Sequence, residues 1–354
     1  MTKITVKPMF CKGPAGEDLP MYTFSNSKGM EIDVIPYGGD IVSIRVPDRD
    51  GNMGDVLLGY DGENYVNNAR YRGQLIGRCG NRIGRGKFTL NGKSYQLNCN
   101  DGRNHLHGGN VGFNKKVWDC QIESAPQGDF LTLKYHSPDG EEFYPGNMDV
   151  TVTYSLTDKN EIVIRYQAVS DKDTLCNLTN HAYFNLRGHD TGDILDHEVK
   201  IYADYFTEAD EESIPTGRVL AVDGTPMDFK QFHKVGERID AQYTPVIYGK
   251  GYDHNWVLNK GDKVMGPCAE VYCEATGRLM RCFTTSPCVQ FYTANFINGS
   301  TIGKGGYRYQ KRAGLCLETQ FAPDAANHPD WASPILRAGD LWDYTTIYEF
   351  SVKE

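Results

Sequence analysis

Apolar and polar residues alternate along most of this chain in short runs, and glycine, proline, asparagine or aspartate interrupts nearly every run. Side chains two apart share one face of an extended strand, so this period of two predicts half-buried β-strands. Residues 30–35 and 41–46 read as two strands about the turn Pro36-Tyr37-Gly38-Gly39-Asp40. Asn91-Gly92, between 87–90 and 93–97, is a hairpin signal, because both residues tolerate the positive φ such turns need. Further strands are expected over 130–135, 149–156, 161–169, 199–203, 271–274, 279–284 and 289–292. Helical patterning is confined to residues 63–69 and 228–238. With 38 glycines and 16 prolines, the pattern predicts an all-β sandwich or barrel. No internal repeat or linker-like tract divides it, so residues 1–354 are expected to form one domain.

Residues 176–186 keep this period but change its chemistry. Asn177, Thr179, His181, Tyr183 and Asn185 would share one strand face. Two amides, a hydroxyl, an imidazole and a phenol make a poor core and a good cleft floor. His181 is therefore a candidate acid or base, since imidazole titrates near neutrality. The plainer alternative is a histidine satisfied by backbone in a partly buried strand.

Composition narrows the partners. The formal charge is −9, from 37 basic and 46 acidic residues, which argues against nucleic acid or an anionic membrane surface. Ten cysteines without a Cys-x-x-Cys pair read as free thiols in a reducing compartment, hence a cytoplasmic protein. No run is apolar enough for a signal peptide or long enough for a membrane helix.

Several motifs lose their meaning in context. Gly92-Lys93-Ser94 looks like the end of a phosphate loop, but the required upstream glycine falls on Lys87, and the segment reads as a hairpin. The glycine-rich residues 77–86 lead into a strand, not a helix. They are either tight turns at a sheet edge or backbone clearance for a ligand, with Asn81 and Arg82 pointing into it. Residues 302–308 read as a mobile surface loop. His105 and His107 have a spacing seen in zinc sites, which His181 or His254 would complete. No cysteine or carboxylate follows at ligand spacing, and no metal is assigned.

Two carboxylates stand out. Asp253 lies within Gly251-Tyr252-Asp253-His254-Asn255-Trp256, and Glu318 follows an apolar run expected to form a buried strand. Burial at the end of that strand would raise the Glu318 pKa toward working pH. A structural Glu paired with an Arg is the alternative. Gln290 opens another amide-and-aromatic run, Gln290-Phe291-Tyr292-Thr293-Ala294-Asn295. Amides, carboxylates, an arginine and ring faces are what a sugar needs.

Taken in order, Asn81-Arg82-Ile83, Leu106-His107-Gly108-Gly109, residues 177–186, Gly251-Tyr252-Asp253, residues 290–295, and Leu317-Glu318-Thr319-Gln320 with Pro323-Asp324 and Asn327 resemble the aldose 1-epimerases, or galactose mutarotases. The resemblance runs from about residue 32 to 350. Gly80 departs from it, standing where alanine is common. It implies a large antiparallel β-sandwich, galactose mutarotase-like, with an open cleft and few short helices. It implies Glu318 as general base and His181 as general acid, with Asn81, Arg82, His107, Asp253 and Gln290 binding the sugar. The implied reaction interconverts α and β anomers of free aldohexoses such as galactose and glucose, without cofactor or metal. Glu318 ionised and His181 protonated is the expected pairing, in a monomer or homodimer whose partner is a small aldose.

Three rivals share these residues. A glycosidase would use Glu318 and Asp253 as its carboxylate pair. A non-catalytic carbohydrate-binding module would present the same cleft. A hexose-6-phosphate epimerase would need a basic cluster, for which Arg85, Lys87 and Lys304 are the candidates.

Overall fold

The computed structural model describes residues 1–68 and 71–353. Its largest element is a nine-stranded antiparallel sheet. The order is Asp119–Ala125, Gly128–Ser137, Met148–Leu156, Glu161–Ser170, Trp342–Val352, Arg278–Thr284, Gly266–Tyr272, Glu198–Ile201 and His233–Lys234. The period of two is plain in Met148–Leu156, where Val150, Val152 and Tyr154 point inward and are at most 1% exposed. The last strand lies mid-sheet, paired with both Glu161–Ser170 and Arg278–Thr284.

Two five-stranded sheets pack with this one. One runs Lys3–Lys12, Asp18–Ser25, Glu31–Ile35, Asp40–Pro47 and Met53–Asp55 in sequential order. The other runs Pro215–Ala221, Tyr205–Ala209, Asp253–Val257, Cys288–Tyr292 and Cys316–Gln320. Ile32 and Ile44 from the first, Trp256, Phe291 and Leu317 from the second, and Val152 and Tyr348 from the large sheet belong to one continuous core cluster. Each such side chain contributes roughly 1.5–3 kcal/mol by leaving water. Polar staples fix the second five-stranded sheet on the large one: Tyr348 Oη donates to the Leu317 carbonyl at 2.8 Å, and the Thr319 and Thr346 hydroxyls hydrogen-bond to each other.

The expected hairpin forms between Lys87–Leu90 and Lys93–Gln96, with Asn91 at φ +52° and Gly92 at φ +73°. The helices shrink. Residues 63–69 yield Asn64–Asn67, and Ala69 lies outside the described residues. Residues 228–238 yield Val235–Arg238, preceded by the edge strand His233–Lys234. There the Arg238 guanidinium reaches back to the Thr225 and Asp228 carbonyls, holding residues 225–228 in a turn instead of a helix. Thr244–Gly249 is an unexpected helix with proline in its first turn. The strand expected at 271–274 is Gly266–Tyr272, and that at 199–203 is Glu198–Ile201. Residues 302–308 are anchored instead of loose, because Lys304 Nζ donates to Asp55 at 2.7 Å and to the Leu57 carbonyl at 2.8 Å. No helix among the described residues is long and apolar enough to cross a membrane.

Candidate active site

The site grows out of strand register. Asn255, Gln290 and Glu318 stand directly opposite one another across three neighbouring strands, so they share one face. Asp253, Tyr292 and Cys316 form the next row on that face. The intervening Phe291 and Leu317, with Trp256 one position beyond Asn255, turn the other way, into the core. Apolar residues thus anchor each strand while Asp253, Tyr292 and Glu318 face a cleft of about 270 Å³, lined also by His181, Asn81, Arg82 and His107 among others.

His181 arrives from across the cleft. Thr179–Asn180 pairs with Leu75–Ile76, and the next residue is clasped by backbone: His181 N donates to the Gln74 carbonyl and Gly73 N to the His181 carbonyl, each at 2.9 Å. The imidazole is sandwiched between the Tyr71 and Tyr183 rings, at centroid distances of 5.9 and 4.9 Å. Its Nε2 lies 3.6 Å from Glu318 Oε1, and its Nδ1 3.5 Å from Cys316 Sγ. Glu318 Oε2 is buried and has no hydrogen-bond partner.

The third wall is a pair of loops tied to each other. His107 N donates to the Asn81 carbonyl at 3.0 Å, and Asn81 N donates to His107 Nδ1 at 3.1 Å. The second bond fixes the tautomer, since an Nδ1 that accepts leaves the ring hydrogen on Nε2. Asn81 and His107 both hold positive φ, +57° and +50°, which lets these turns present side chains inward. Arg82 Nε pairs with Asp101 at 2.8 Å, which aims the guanidinium.

Burial dominates the electrostatics. It pushes the Glu318 carboxyl well above the usual range; the Asp253 charge adds to this and Arg82 opposes it. It pushes the His181 imidazole down to about 3. His107 is held well below its ordinary value by burial, then by His181, Arg82 and His105.

The sequence profile described as aldose 1-epimerase matches residues 20–349. Galactose mutarotase of Bos taurus is 43% identical over 327 residues, 92% of each chain. The chain belongs to the aldose 1-epimerase family. Aldose 1-epimerase of Escherichia coli is 36% identical over 345 residues, covering 95% of this chain and 96% of its own. A crystal structure of galactose 1-epimerase from Lactobacillus acidophilus superposes with a TM-score of 0.88 at 25% identity, covering 99% of this chain and all of that one. Membership carries the expected activity class, an aldose-converting isomerase on a β-sandwich.

In this epimerase the expected residues converge, with some reassignments. Glu318 stands in the middle of Cys316–Gln320, not at a strand end. The expected charged pair meets the opposite pressure, because burial favours neutral Glu318 and neutral His181. Gln290, expected to bind the sugar, does not line the cleft; it lies behind Asp253 and donates to its carboxylate at 2.7 Å. The polar face of residues 176–186 divides. His181 and Tyr183 line the cleft, whereas Asn177 braces the Gly80 and Phe321 carbonyls and Asn185 those of Gly192 and Ala313. Only Thr179–Asn180 is strand.

The His105–His107 pair is split. His105 is 0% exposed, with Nδ1 on the Asn98 carbonyl and Nε2 on the Tyr144 hydroxyl, and His254 spends Nε2 on the Pro245 carbonyl. Among the described residues, the group with metal-capable atoms within 4.8 Å is instead His107, His181 and Glu318. There the His107 tautomer presents N–H in place of a lone pair. Of the basic residues weighed for a phosphate, Arg85, Lys87 and Lys304, none lines the cleft. Sequence reasoning missed Tyr71 and Arg72, which do. Their only local signal is an aromatic and a cation just before a glycine.

Proposed function

We propose that Glu318 and His181 are the base and acid of a mutarotation acting on free aldohexoses, galactose and glucose among them. One observation carries this reading: a buried carboxylate oxygen, Glu318 Oε2, without a partner, on a carboxyl 3.6 Å from an imidazole nitrogen. Ring opening needs a proton removed from the C1 hydroxyl and a proton delivered to the ring oxygen. Glu318 Oε2 takes the first and His181 Nε2 gives the second as the bond between C1 and the ring oxygen breaks. The open-chain aldehyde turns about C1–C2, and the reverse transfers close the ring on the other face. The two groups share one proton, so the neutral pair favoured by burial and the charged pair that opens the ring differ by a proton shift between them. The Arg82 charge and the sugar hydroxyls favour the charged form as substrate displaces water.

Asn81, Arg82, His107 and Asp253 hold the remaining hydroxyls, His107 donating from Nε2, with Gln290 fixing Asp253. The same reading takes the chain as one sandwich domain, supported by the core cluster that runs from Tyr22 to Phe350. A cytoplasmic setting is supported by ten cysteines, all free. Polarimetry of freshly dissolved α-D-galactose and α-D-glucose, with and without protein, is the test. Acceleration of the optical change is expected; sugar binding without acceleration would leave only a binding module.

A further inference from the structure

Arg72 lines the cleft but has no counter-charge. It is 4% exposed, its Nη1 has no hydrogen-bond partner, and no carboxylate pairs with it among the described residues. Its guanidinium lies 4.6 Å from the Tyr60 ring centroid and 5.2 Å from that of Tyr309. Ring faces offset part of the cost of burying a cation but cannot satisfy its in-plane N–H groups. Such a group is costly to keep unless something that enters the cleft supplies the missing acceptor.

Its position indicates what that acceptor is. Arg72 lies against the Tyr309 ring, which packs in one cluster with Tyr183 and Cys316, whereas Arg82 follows Asn81 and pairs with Asp101. Tyr183 stacks on the His181 ring, and Cys316 lies against its Nδ1, on the side away from the Nε2 that faces Glu318. On the proton-transfer reading proposed above, on which this inference rests, the C1 hydroxyl lies at Glu318 and the ring oxygen at His181. The ring oxygen is bonded to C5, and C5 carries C6. A sugar so held directs C6 past His181 toward Arg72.

We propose that Arg72 is a specificity-determining residue that pairs with an anionic C6 substituent, so that hexuronic acids are substrates of this cleft beside neutral aldohexoses. The carboxylate is the anion that fits. It is planar, carries one charge against one guanidinium, and accepts a forked pair of N–H bonds. A phosphate dianion needs more cations, and Lys304, one of the candidates expected from sequence, is committed to Asp55. Opening a uronic acid ring uses the same balanced pair of transfers, one proton from the C1 hydroxyl to Glu318 and one from His181 to the ring oxygen. The carboxylate at C6 takes no part.

The test compares mutarotation of α-D-galactose, α-D-galacturonate and galactose 6-phosphate by wild type, Arg72→Met and Arg72→Lys, with galacturonate binding by calorimetry. Wild type is expected to turn over galacturonate with a kcat/KM within about tenfold of that for galactose. In Arg72→Met the galacturonate-to-galactose ratio of kcat/KM should fall about tenfold to a hundredfold, the range for losing a charged hydrogen bond. Arg72→Lys should recover part of it. A merely structural arginine would lower both sugars alike and leave the ratio unmoved, which would overturn the proposal. So would wild type that converts galactose but neither binds nor converts galacturonate, a result readable even if both variants fail to fold. Preference for the 6-phosphate over galacturonate would overturn the choice of carboxylate. Failure on galactose itself would instead strike the proton-transfer reading.

Discussion

Glu318 Oε1 and His181 Nε2 face each other at 3.6 Å, and side-chain substitutions test the roles proposed for them. Glu318→Gln keeps size but removes the basic oxygen, so mutarotation followed by polarimetry should fall at least about a hundredfold. Galactose affinity by calorimetry should change far less, because the groups proposed to hold the hydroxyls remain. His181→Asn should behave alike, and the double variant should lose less than the product of the two, since both groups serve one step. Near-normal turnover in Glu318→Gln would sink the assignment. Burial holds His181 at about 3. Hence kcat/KM should show no histidine limb between pH 7 and pH 5, where an exposed histidine would titrate near 6.5. An acid limb with an apparent pKa of about 6.5 would contradict a buried, neutral His181. The His107 tautomer bears on metal. With N–H at Nε2, the trio His107, His181 and Glu318 lacks one lone pair, and exhaustive chelation should leave turnover unchanged. Loss with chelator and recovery with zinc would reverse that.

At the scale of elements, loop turns place His107 as firmly as strand register places Glu318. Gly108 follows it at φ +81°, and a Cβ there would lie 1.8 Å from the Gly77 carbonyl oxygen. Neither backbone can yield without moving the His107–Asn81 clasp. Gly108→Ala should therefore cost about 1–3 kcal/mol in urea unfolding and lower kcat/KM at least roughly tenfold. Gly51 has a similar φ, +82°, with open space around it. Gly51→Ala should cost about 1 kcal/mol and spare turnover. Equal losses of activity in both variants would mean that general destabilisation, not the clasp, governs the site.

Over the whole molecule, burial of titratable groups sets the acid response. Six histidines, His105, His107, His181, His189, His197 and His254, are held below their ordinary value mainly by burial. Below about pH 6.5 the unfolded chain protonates them while the native chain does not, so their contribution is present above that pH and is lost as pH falls. Three carboxyls, Asp40, Asp324 and Glu318, are raised by burial and act the other way, since the native state keeps protons that the unfolded state releases. Six against three makes acid the losing direction between pH 7 and pH 5. Calorimetry should find a lower Tm at pH 5 than at pH 7; a higher Tm there would contradict the balance.

Much of this molecule is legible along the chain because strand period, turn chemistry and burial are local properties. Alternation in residues 149–156, the Asn91-Gly92 turn and the apolar run before Glu318 each specify an element within a few residues. Residues 228–238 misled because helix propensity is weak beside a tertiary contact, here the Arg238 guanidinium on upstream carbonyls. A period of two names the faces of a strand but not its neighbours. Folding alone inserted Trp342–Val352 between Glu161–Ser170 and Arg278–Thr284, and aligned Asn255, Gln290 and Glu318 in one row. It also turned Asn177 and Asn185 away to brace backbone, set Gln290 behind Asp253, and enclosed Arg72 between Tyr60 and Tyr309. Several of those outcomes join segments more than a hundred residues apart in the chain, Asn177 with Phe321 and Arg72 with Tyr309 among them, and local patterning carries no information about such neighbours.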